Sequence, residues 1–445
     1  MEFPKQRLLL ALALACLPAT AFGQDPYYVE SAPAVSPEPL SSWLEPGEVL
    51  VEPPAGVTLQ LPNSAPAPPP AFPTATLSGF FHADAAWFAQ DGPSLATFGD
   101  IQDFTDFRRA RLAAKGKVAE NIAYMCEFDF GFPGRPTFMD VYGEFLDLPG
   151  LGTVRIGQWR APMSMDALTS VKELSFLERN SSFAAFLPFR QMGIGAFNTY
   201  FDEQGTWAVS GYRVPTNAFG TEVGDSGYGL SGRLTFAPLL DTANNRVLHT
   251  GVGYSFNNPG TSSIRFRSTP EIGVTAGDFS ANPIVVPFFV DTNDVATSRY
   301  SLFNAELARA WGPALMQSEV YYASVDTLAG GTVNFSGAYA QASYVLTGEA
   351  RPYNTKQAVF ERVRLIKDSH GRTRPAWEVA ARWSYINLND GPVQGGQLND
   401  ITCGLNCYLS KNAKLQFNYI RAFQRQPGIG DTNTDLAATR LQIDF

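Results

Sequence analysis

The sequence has no apolar run long enough to cross a membrane as a helix. The longest such run, Leu8–Leu17, is half of the roughly 20 residues that a spanning helix needs. Hydrophobic residues still make up 45% of the 445 residues, so most of them are interleaved with polar residues. This pattern excludes a helical membrane protein.

Residues that carry nucleophilic or metal chemistry are also scarce. The chain has four Cys and three His, no C-x-x-C and no G-x-S-x-G. Cys403 and Cys407 are four residues apart, and on one strand that spacing of about 13 Å is too long for a disulfide. The histidines are His82, His249 and His370, and no recognisable motif surrounds them. We therefore expect no disulfide framework, no metal, no cofactor and no enzyme activity.

The first 76 residues differ in composition from the rest. Residues 1–23 have a charged start, an apolar stretch and the small-residue ending Ala21-Phe22-Gly23, which predicts a secretory signal peptide. A lipid anchor at Cys16 is the alternative. Residues 24–76 contain 13 Pro and six acidic residues but no Lys or Arg. Such a composition cannot bury enough apolar surface to fold, so we predict a disordered periplasmic spacer.

Residues 77–445 have one uniform pattern. Short segments with alternating apolar and polar residues are separated by turns rich in Gly, Pro, Asn and Asp. Period two predicts strands with one apolar and one polar face. Seventeen segments can be counted, but a closed antiparallel barrel of this type has an even number of strands. The predicted fold is all-β, a transmembrane antiparallel β-barrel of 16 strands, with 18 as the alternative.

The last ten residues show the alternation most clearly. Phe445, Ile443 and Leu441 fall on one face, and Asp444 and Gln442 fall on the other. This suits a strand that closes a barrel, with its apolar face toward lipid and its polar face toward a water-filled lumen. An edge strand of a secreted β-sandwich is the alternative. The ending resembles that of bacterial outer-membrane barrels, which implies the outer membrane as location and the barrel-assembly machinery as a partner through Phe445.

Cations occupy one face of a predicted strand. In Phe107–Val118 that face carries four cations, and the opposite face carries small and apolar residues. The cations are Arg109, Arg111, Lys115 and Lys117. Each would cost about 2–4 kcal/mol at the centre of the lipid layer. We therefore expect them to line the lumen as a ladder about 27 Å long.

Two further segments carry arginines. Ser263–Arg267 repeats the alternation, which predicts Arg265 and Arg267 inward and Phe266 outward. Ala161–Phe189 is too long for a simple turn and rich in apolar residues, so it is predicted to fold into the barrel as an inward-folded third loop. Guanidinium groups at such a constriction match the oxygens of phosphate and carboxylate and favour anions.

Three alternatives remain open. Asp129, Asp140 and Glu144 could pair with the cations and leave a polar, unselective wall. The solute could be a sugar or a carboxylate, or the barrel could be plugged and structural. Net charge does not decide between them, because residues 77–445 carry 31 Lys and Arg against 35 Asp and Glu. Nucleic acid is not an expected partner of such an acidic chain.

The barrel region carries short motifs in a fixed order. They are Phe107-Arg-Arg-Ala-Arg111, Gly157-Gln-Trp-Arg-Ala-Pro162, Leu168-Thr-Ser170, Leu177-Glu-Arg-Asn180, Ser263-Ile-Arg-Phe-Arg267, Leu346-Thr-Gly-Glu349, Arg351-Pro-Tyr353, Trp377-Glu378 and Gly404-Leu-Asn406. In this order and spacing, residues 77–445 resemble the bacterial phosphate- and polyphosphate-selective porins of the O and P type. The resemblance implies a trimeric, 16-stranded outer-membrane barrel with an arginine-lined path for phosphate.

The resemblance also implies roles for individual residues. Arg108 and Arg109 match paired arginines of the family, Arg179 its loop arginine, and Arg265 and Arg267 a further pair. Regular alternation turns Arg108 outward unless a bulge re-aims it. The implied partners are small anions such as phosphate, outer-membrane lipid and further copies of this chain in a homotrimer.

The chain departs from the family at two places. Gly79-Phe-Phe-His82 stands where the first strand of the family has an Arg. Asp166-Ala167 stands where its third loop has a Lys. Both departures remove a cation from the implied anion path.

Overall fold

A computed structural model describes residues 72–131, 136–214, 227–273, 286–367, 370–428 and 430–445. The predicted signal peptide and residues 24–71 of the predicted spacer lie outside this described part. Within it, no helix has both the length and the apolar character needed to cross a membrane.

Sixteen long strands form one closed sheet in the described residues. They are β1 (Thr76–Gln90), β2 (Phe104–Ala119), β3 (Ile122–Asp129), β4 (Thr137–Leu148), β5 (Gly152–Arg160), β6 (Arg190–Tyr200), β7 (Gly205–Val214), β8 (Gly227–Asp241), β9 (Arg246–Asn258), β10 (Val295–Trp311), β11 (Ala314–Thr327), β12 (Thr332–Val345), β13 (Ala376–Asp390), β14 (Val393–Ser410), β15 (Ala413–Gln426) and β16 (Gly430–Asp444). Each strand pairs antiparallel with the next, and β16 pairs with β1. The predicted 16-stranded antiparallel barrel is confirmed.

The barrel closes between its first and last strands. Phe81 of β1 pairs with Ile443 of β16, and Gly79 and Phe445 exchange two backbone hydrogen bonds of 2.8 and 3.0 Å. A Cβ atom at Gly79 would lie 2.5 Å from the Phe445 ring and 2.7 Å from the Arg111 carbonyl oxygen. The absence of a side chain at this position therefore permits the close approach of three chain segments.

The strands alternate as the sequence predicts. In β16, Arg440 and Gln442 are buried, whereas Leu441 is exposed and Phe445 is 67% exposed. Along β8, each buried residue is followed by an exposed or half-buried one from Gly227 to Pro238. The exposed face is mainly apolar and the buried face is rich in polar and charged side chains, which is the arrangement of a barrel in lipid.

Ser263–Arg267 is the surplus segment of the seventeen, and its prediction as a barrel strand is wrong. Only Ser263 and Ile264 pair with β10, and Arg267 pairs instead with Asp291. Phe266 is 1% exposed, because its ring packs against an aromatic cluster and does not face lipid. The cluster includes Phe186, Tyr300 and Phe335.

The described part of the chain has three short helices in its connections: α1 (Gly92–Phe98), α2 (Met165–Leu168) and α3 (Ser181–Phe186). The connection between β12 and β13 contains a short strand pair, Tyr353–Asn354 with Val359–Phe360. Val359 and Phe360 belong to a buried cluster that also includes Met165 of α2. Two long connections therefore meet within the same apolar cluster.

Candidate functional site

The connection between β5 and β6, residues 161–189, contacts strands that are distant in the sheet. The backbone N–H groups of Met165 and Asp166 donate to the Glu319 carboxylate of β11, at 3.2 and 2.8 Å. The Ser182 hydroxyl donates to the Tyr385 carbonyl oxygen of β13, at 2.8 Å. Because β11 and β13 lie six and eight strands from β5, this connection links separate parts of the barrel.

Polar side chains fix the shape of this connection. Ser164 and Asn180 cap α2 and α3 by accepting backbone N–H bonds at 3.2 and 3.1 Å, as helix starts require. Arg179 donates to the carbonyl oxygens of Asp166 and Thr169, at 2.8 and 2.5 Å. Burial lowers the pKa of Arg179 to about 10, so the guanidinium remains charged at neutral pH. Arg179 therefore holds the loop together through its backbone.

A cluster of arginines surrounds the carboxylate of Glu178 on the same connection. Arg109 donates two hydrogen bonds to it, at 3.0 and 2.7 Å. Arg108 Nε lies 3.2 Å from one of its oxygens, and Arg440 of β16 donates to it at 2.9 Å. Arg440 also binds Asp84 of β1 through two bonds of 2.7 and 2.6 Å. We call these five residues the arginine cluster; it holds three guanidiniums and two carboxylates.

A bulge in β2 allows two adjacent arginines to reach one carboxylate. Successive strand residues normally face opposite sides of a sheet. Here His82 pairs with Arg109 but the next residue, Ala83, pairs with Phe107, so Arg108 is an extra residue in β2. A bulge re-aims a side chain in this way. The family role of Arg108 was conditional on such a bulge, and the structure contains it.

The charge state of Glu178 follows from this environment. Burial opposes its ionisation, but Arg108, Arg109 and Arg440 more than offset that effect and hold the pKa of Glu178 well below its usual value. The carboxylate is therefore negative at neutral pH and balances part of the arginine charge.

Other arginines of the wall are also paired with carboxylates. The pairs are Arg111–Asp129 (2.7 Å), Arg111–Glu127 (3.4 Å), Arg155–Glu144 (2.6 Å) and Arg190–Asp140 (2.9 Å). Charge-assisted contacts of this length are strong and directional. Asp129, Asp140 and Glu144 thus pair with arginines, as one of the sequence alternatives anticipates.

The lysines of β2 are in a different situation. Lys115 lines a cavity of about 630 Å³, together with Lys172 of the connection 161–189. Among the described residues, no carboxylate lies within ion-pair distance of either ammonium group, and Lys172 Nζ lies 5.7 Å from the centre of the Phe80 ring. Lys117 instead donates to the Glu120 carbonyl oxygen at 2.9 Å. The ladder predicted from β2 therefore divides into paired arginines, one free lysine and one lysine at a turn.

Arg265 and Arg267 lie in the connection between β9 and β10 and have partners outside the arginine cluster. Arg265 donates to both oxygens of Asp291, at 2.8 and 2.6 Å. Arg267 stacks on the Phe288 ring, 4.1 Å from its centre. Partial burial would raise the pKa of Asp291, but the hydrogen bond from Arg265 and other contacts lower it below its usual value. The Arg265 charge is therefore matched by an ionised partner.

A model of the family described as phosphate-selective porin O and P matches residues 78–445. The chain belongs to this family. It is an outer-membrane porin, and both the family and the fold indicate a channel and not an enzyme. Porin O of Pseudomonas aeruginosa is 28% identical over 375 residues, which cover 78% of this chain and 83% of the relative. An uncharacterized protein of Caulobacter vibrioides is 26% identical over 357 residues, 76% of this chain and 68% of the relative.

Solved structures support the fold of this porin. An anion-selective porin from Comamonas acidovorans superposes with a TM-score of 0.52 at 13% identity, covering 84% of this chain and 99% of the other. OmpT, an outer membrane protein of Vibrio cholerae in a trimer form, gives 0.51 at 10% identity with the same coverage. At such identities the similarity concerns the barrel fold alone.

Sequence reasoning missed three members of the arginine cluster of this porin: Asp84, Glu178 and Arg440. Glu178 lies inside the motif Leu177-Glu-Arg-Asn180, in which only Arg179 received a role. Arg440 was one of the polar-face residues of the final strand, without a partner. An acidic residue beside a loop arginine was the available signal, since a carboxylate there can reach the cations of the wall.

Sequence reasoning also missed how this porin ties its connections together. Arg351, between β12 and β13, donates to both oxygens of Glu378 at 2.8 Å. It also donates to the Glu173 carbonyl oxygen of the connection 161–189, at 2.6 Å. Arg351 lies in the motif Arg351-Pro-Tyr353, so the motif marks a buried anchor.

Proposed function

We propose that this porin is an anion-preferring channel for the passive diffusion of small solutes, with phosphate and polyphosphate as its preferred anions. The observation that carries the proposal is the pair Lys115 and Lys172, which line the 630 Å³ cavity without a carboxylate partner among the described residues. Unpaired charge on the wall of a pore attracts the opposite ion and repels the like ion. The family name and the anion-selective porin from Comamonas acidovorans are consistent with this preference.

The connection 161–189 is proposed to be the inward-folded third loop and to form the constriction. Its contacts with β11 and β13 support this, because a segment lying outside the barrel could not reach the buried faces of both strands. In this proposal Arg111, Lys115 and Lys172 line the anion path. Arg179 positions the loop.

Three further observations bear on the assembly that we propose for this porin. A homotrimer is consistent with the trimer form of OmpT from Vibrio cholerae. Contact with outer-membrane lipid is supported by exposed apolar side chains such as Leu112, Leu230 and Val320. The exposed Phe445, paired with Gly79 at the closing seam, supports recognition of the final strand by the barrel-assembly machinery.

Two observations favour other channel types and define the competing hypotheses. The arginine–carboxylate pairs of the wall favour a general porin, or one for sugars or carboxylates, because paired cations contribute little net field. Phe186, Phe266 and Phe289 belong to a large apolar cluster at the buried face, which favours a plugged, structural barrel. The two hypotheses predict different conductance from each other and from the anion-preferring channel.

The test is the reversal potential of the purified porin in planar bilayers under a KCl gradient, repeated with added phosphate. Chloride preference with block of the current by phosphate is the expected result. Conductance without anion preference would instead identify a general porin. Absence of conductance from a correctly folded barrel would identify the plugged form.

A further inference from the structure

We propose that Glu178 occupies, within the arginine cluster, the position of a substrate anion, and that it thereby sets how tightly the channel binds phosphate. The inference rests on the proposed function, because it concerns the same anion path. It assigns a specificity-determining role to a residue whose charge is opposite to that of the path.

The bonding of Glu178 is that of a bound anion. Arg109 holds its carboxylate with two N–H groups, at 3.0 and 2.7 Å, and such a fork binds carboxylate and phosphate oxygens in the same way. Arg108 and Arg440 approach one of its oxygens at 3.2 and 2.9 Å. Three guanidiniums around one carboxylate form a site that an oxyanion of similar size and charge would also satisfy.

The position of Glu178 makes exchange with a solute anion feasible. Its side chain belongs to the connection 161–189, whereas Arg108 and Arg109 belong to β2 and Arg440 to β16. The carboxylate can therefore leave the arginines without any change in the barrel wall. A cavity of about 220 Å³ adjoins Arg108, Arg109 and Glu178, and since one water takes about 30 Å³ in the liquid, it has room for a small hydrated anion.

The pairing of Arg111 in the wall lacks this property. Arg111 contacts two carboxylates, Asp129 and Glu127, at 2.7 and 3.4 Å, and both belong to the neighbouring strand β3. Loss of either one leaves the other. Arg109, by contrast, has no carboxylate other than Glu178 within 4.0 Å in the described part of the chain. Neutralising Glu178 thus leaves a guanidinium fork open to solutes.

The experiment compares Glu178→Gln with Glu127→Gln in the full-length porin. Glutamine keeps the size of the side chain and removes its charge, and Glu127 is a matched control because its arginine partners retain Asp129 and Asp140. The readout is the concentration of inorganic phosphate that halves the chloride current in planar bilayers. We expect this concentration to fall about tenfold in Glu178→Gln, the effect of about one charge-assisted hydrogen bond, and to change less than about twofold in Glu127→Gln.

Each outcome decides the inference separately from the proposed function. An unchanged half-blocking concentration in Glu178→Gln, with an anion-preferring wild type, overturns the inference and leaves the function standing. A wild type without anion preference that acquires phosphate block in Glu178→Gln supports the inference and refutes the function. Equal effects of both variants would reduce Glu178 to a bulk charge and overturn the inference.

A second variant covers the case in which Glu178→Gln does not assemble. Glu178→Asp keeps the charge but withdraws the carboxylate by one methylene group, so Arg109 loses its two-bond geometry. We expect phosphate block to strengthen by a smaller factor, about threefold. Wild-type block in a folded Glu178→Asp barrel would overturn the inference.

Discussion

The arginine cluster and the lysine-lined cavity both contain cations. Those of the cluster are paired with carboxylates, and the two lysines of the cavity are not, among the residues that the structure describes. Arg109 and Arg440 are buried, and each is bonded to at least one carboxylate. Lys115 is exposed and Lys172 is half-buried, and both lack a carboxylate partner in the described residues. The difference indicates that the number of cations on a pore wall does not set its field. What counts is the charge that no nearby carboxylate cancels.

Burial explains why the two regions differ. A charge removed from water is unfavourable by several kcal/mol unless it is paired and hydrogen-bonded. The guanidiniums lie between the strands and the connection 161–189, so carboxylates must accompany them. An ammonium group beside a water-accessible cavity keeps its hydration and needs no partner. The cations of one region therefore stabilise the barrel and already hold a protein carboxylate, whereas those of the other region are free to act on ions.

The largest expected effect comes from breaking the buried pairs. Arg440→Ala leaves Asp84 buried without its cation and removes one partner of Glu178. We expect the free energy of unfolding to fall by about 3–5 kcal/mol, measured as the thermal unfolding of the purified barrel in detergent. Arg425→Ala on the neighbouring strand is the control, because the Arg425–Asp431 pair is exposed and its loss should leave the transition unchanged. Equal thermal unfolding transitions for Arg440→Ala and Arg425→Ala would refute the distinction between buried and exposed ion pairs.

The second effect concerns the free lysines. The double substitution Lys115→Ala and Lys172→Ala should lower the chloride-to-potassium permeability ratio about thirtyfold, since two charges about 8 Å from a hydrated ion each contribute ~0.5 kcal/mol, favourable for chloride and unfavourable for potassium. Reversal potentials under a KCl gradient measure this ratio. Lys117→Ala serves as the control, because Lys117 binds a turn carbonyl and is expected to leave the ratio near the wild-type value. A larger effect of Lys117→Ala would assign the selectivity to the turn.

A smaller effect is expected from the other arginine pair. Arg265→Ala with Arg267→Ala should leave folding intact and reduce the permeability ratio by less than about twofold, because Asp291 already neutralises Arg265 in an exposed contact. The same bilayer measurement applies. A reduction as large as that of the lysine pair would place these arginines on the anion path despite their partners.

The smallest effect is expected from pH. Lowering the pH to about 4 should not remove the difference in chloride preference between the wild type and Glu178→Gln. Arginine neighbours depress the pKa of Glu178, so its carboxylate should stay ionised, and its stabilising contribution should persist, until the pH falls through that lowered pKa. The chloride preferences of the wild type and Glu178→Gln should therefore remain different at pH 4. An ordinary glutamate, with a pKa of about 4.3, would be more than half protonated there, and the two proteins would converge.

The barrel was predictable because its signal is local. Alternation within each segment gives strand and face, and Gly, Pro, Asn and Asp give the turns, so even the inward side of Arg109 and Arg111 follows from period two. The prediction of Ser263–Arg267 as a barrel strand was wrong for the same reason. Its alternation is real, but Phe266 finds a protein cluster in place of lipid, and no local pattern distinguishes these two apolar surroundings.

The arginine cluster was not predictable because its members meet only in three dimensions. Glu178 and Arg440 are separated by 262 residues, and their contact depends on the path of a long connection. The bulge at Arg108 depends on the register between β1 and β2, which side-chain types alone do not fix. The motifs of the family pointed to Arg108 and Arg179, which line the same cavity as Glu178, but they did not point to the carboxylate of Glu178.

The bulge in β2 also has a genetic consequence. Because Arg108 is the extra residue in the pairing of β2 with β1, deleting its codon would leave Phe107 paired with Ala83 and Arg109 paired with His82 in a regular ladder. The residues before and after the deletion would stay on the same face of the sheet. A codon deletion at most other strand positions would exchange the lipid and water faces up to the next turn. The porin can therefore gain or lose a guanidinium at this site by a single insertion or deletion, without rebuilding the barrel.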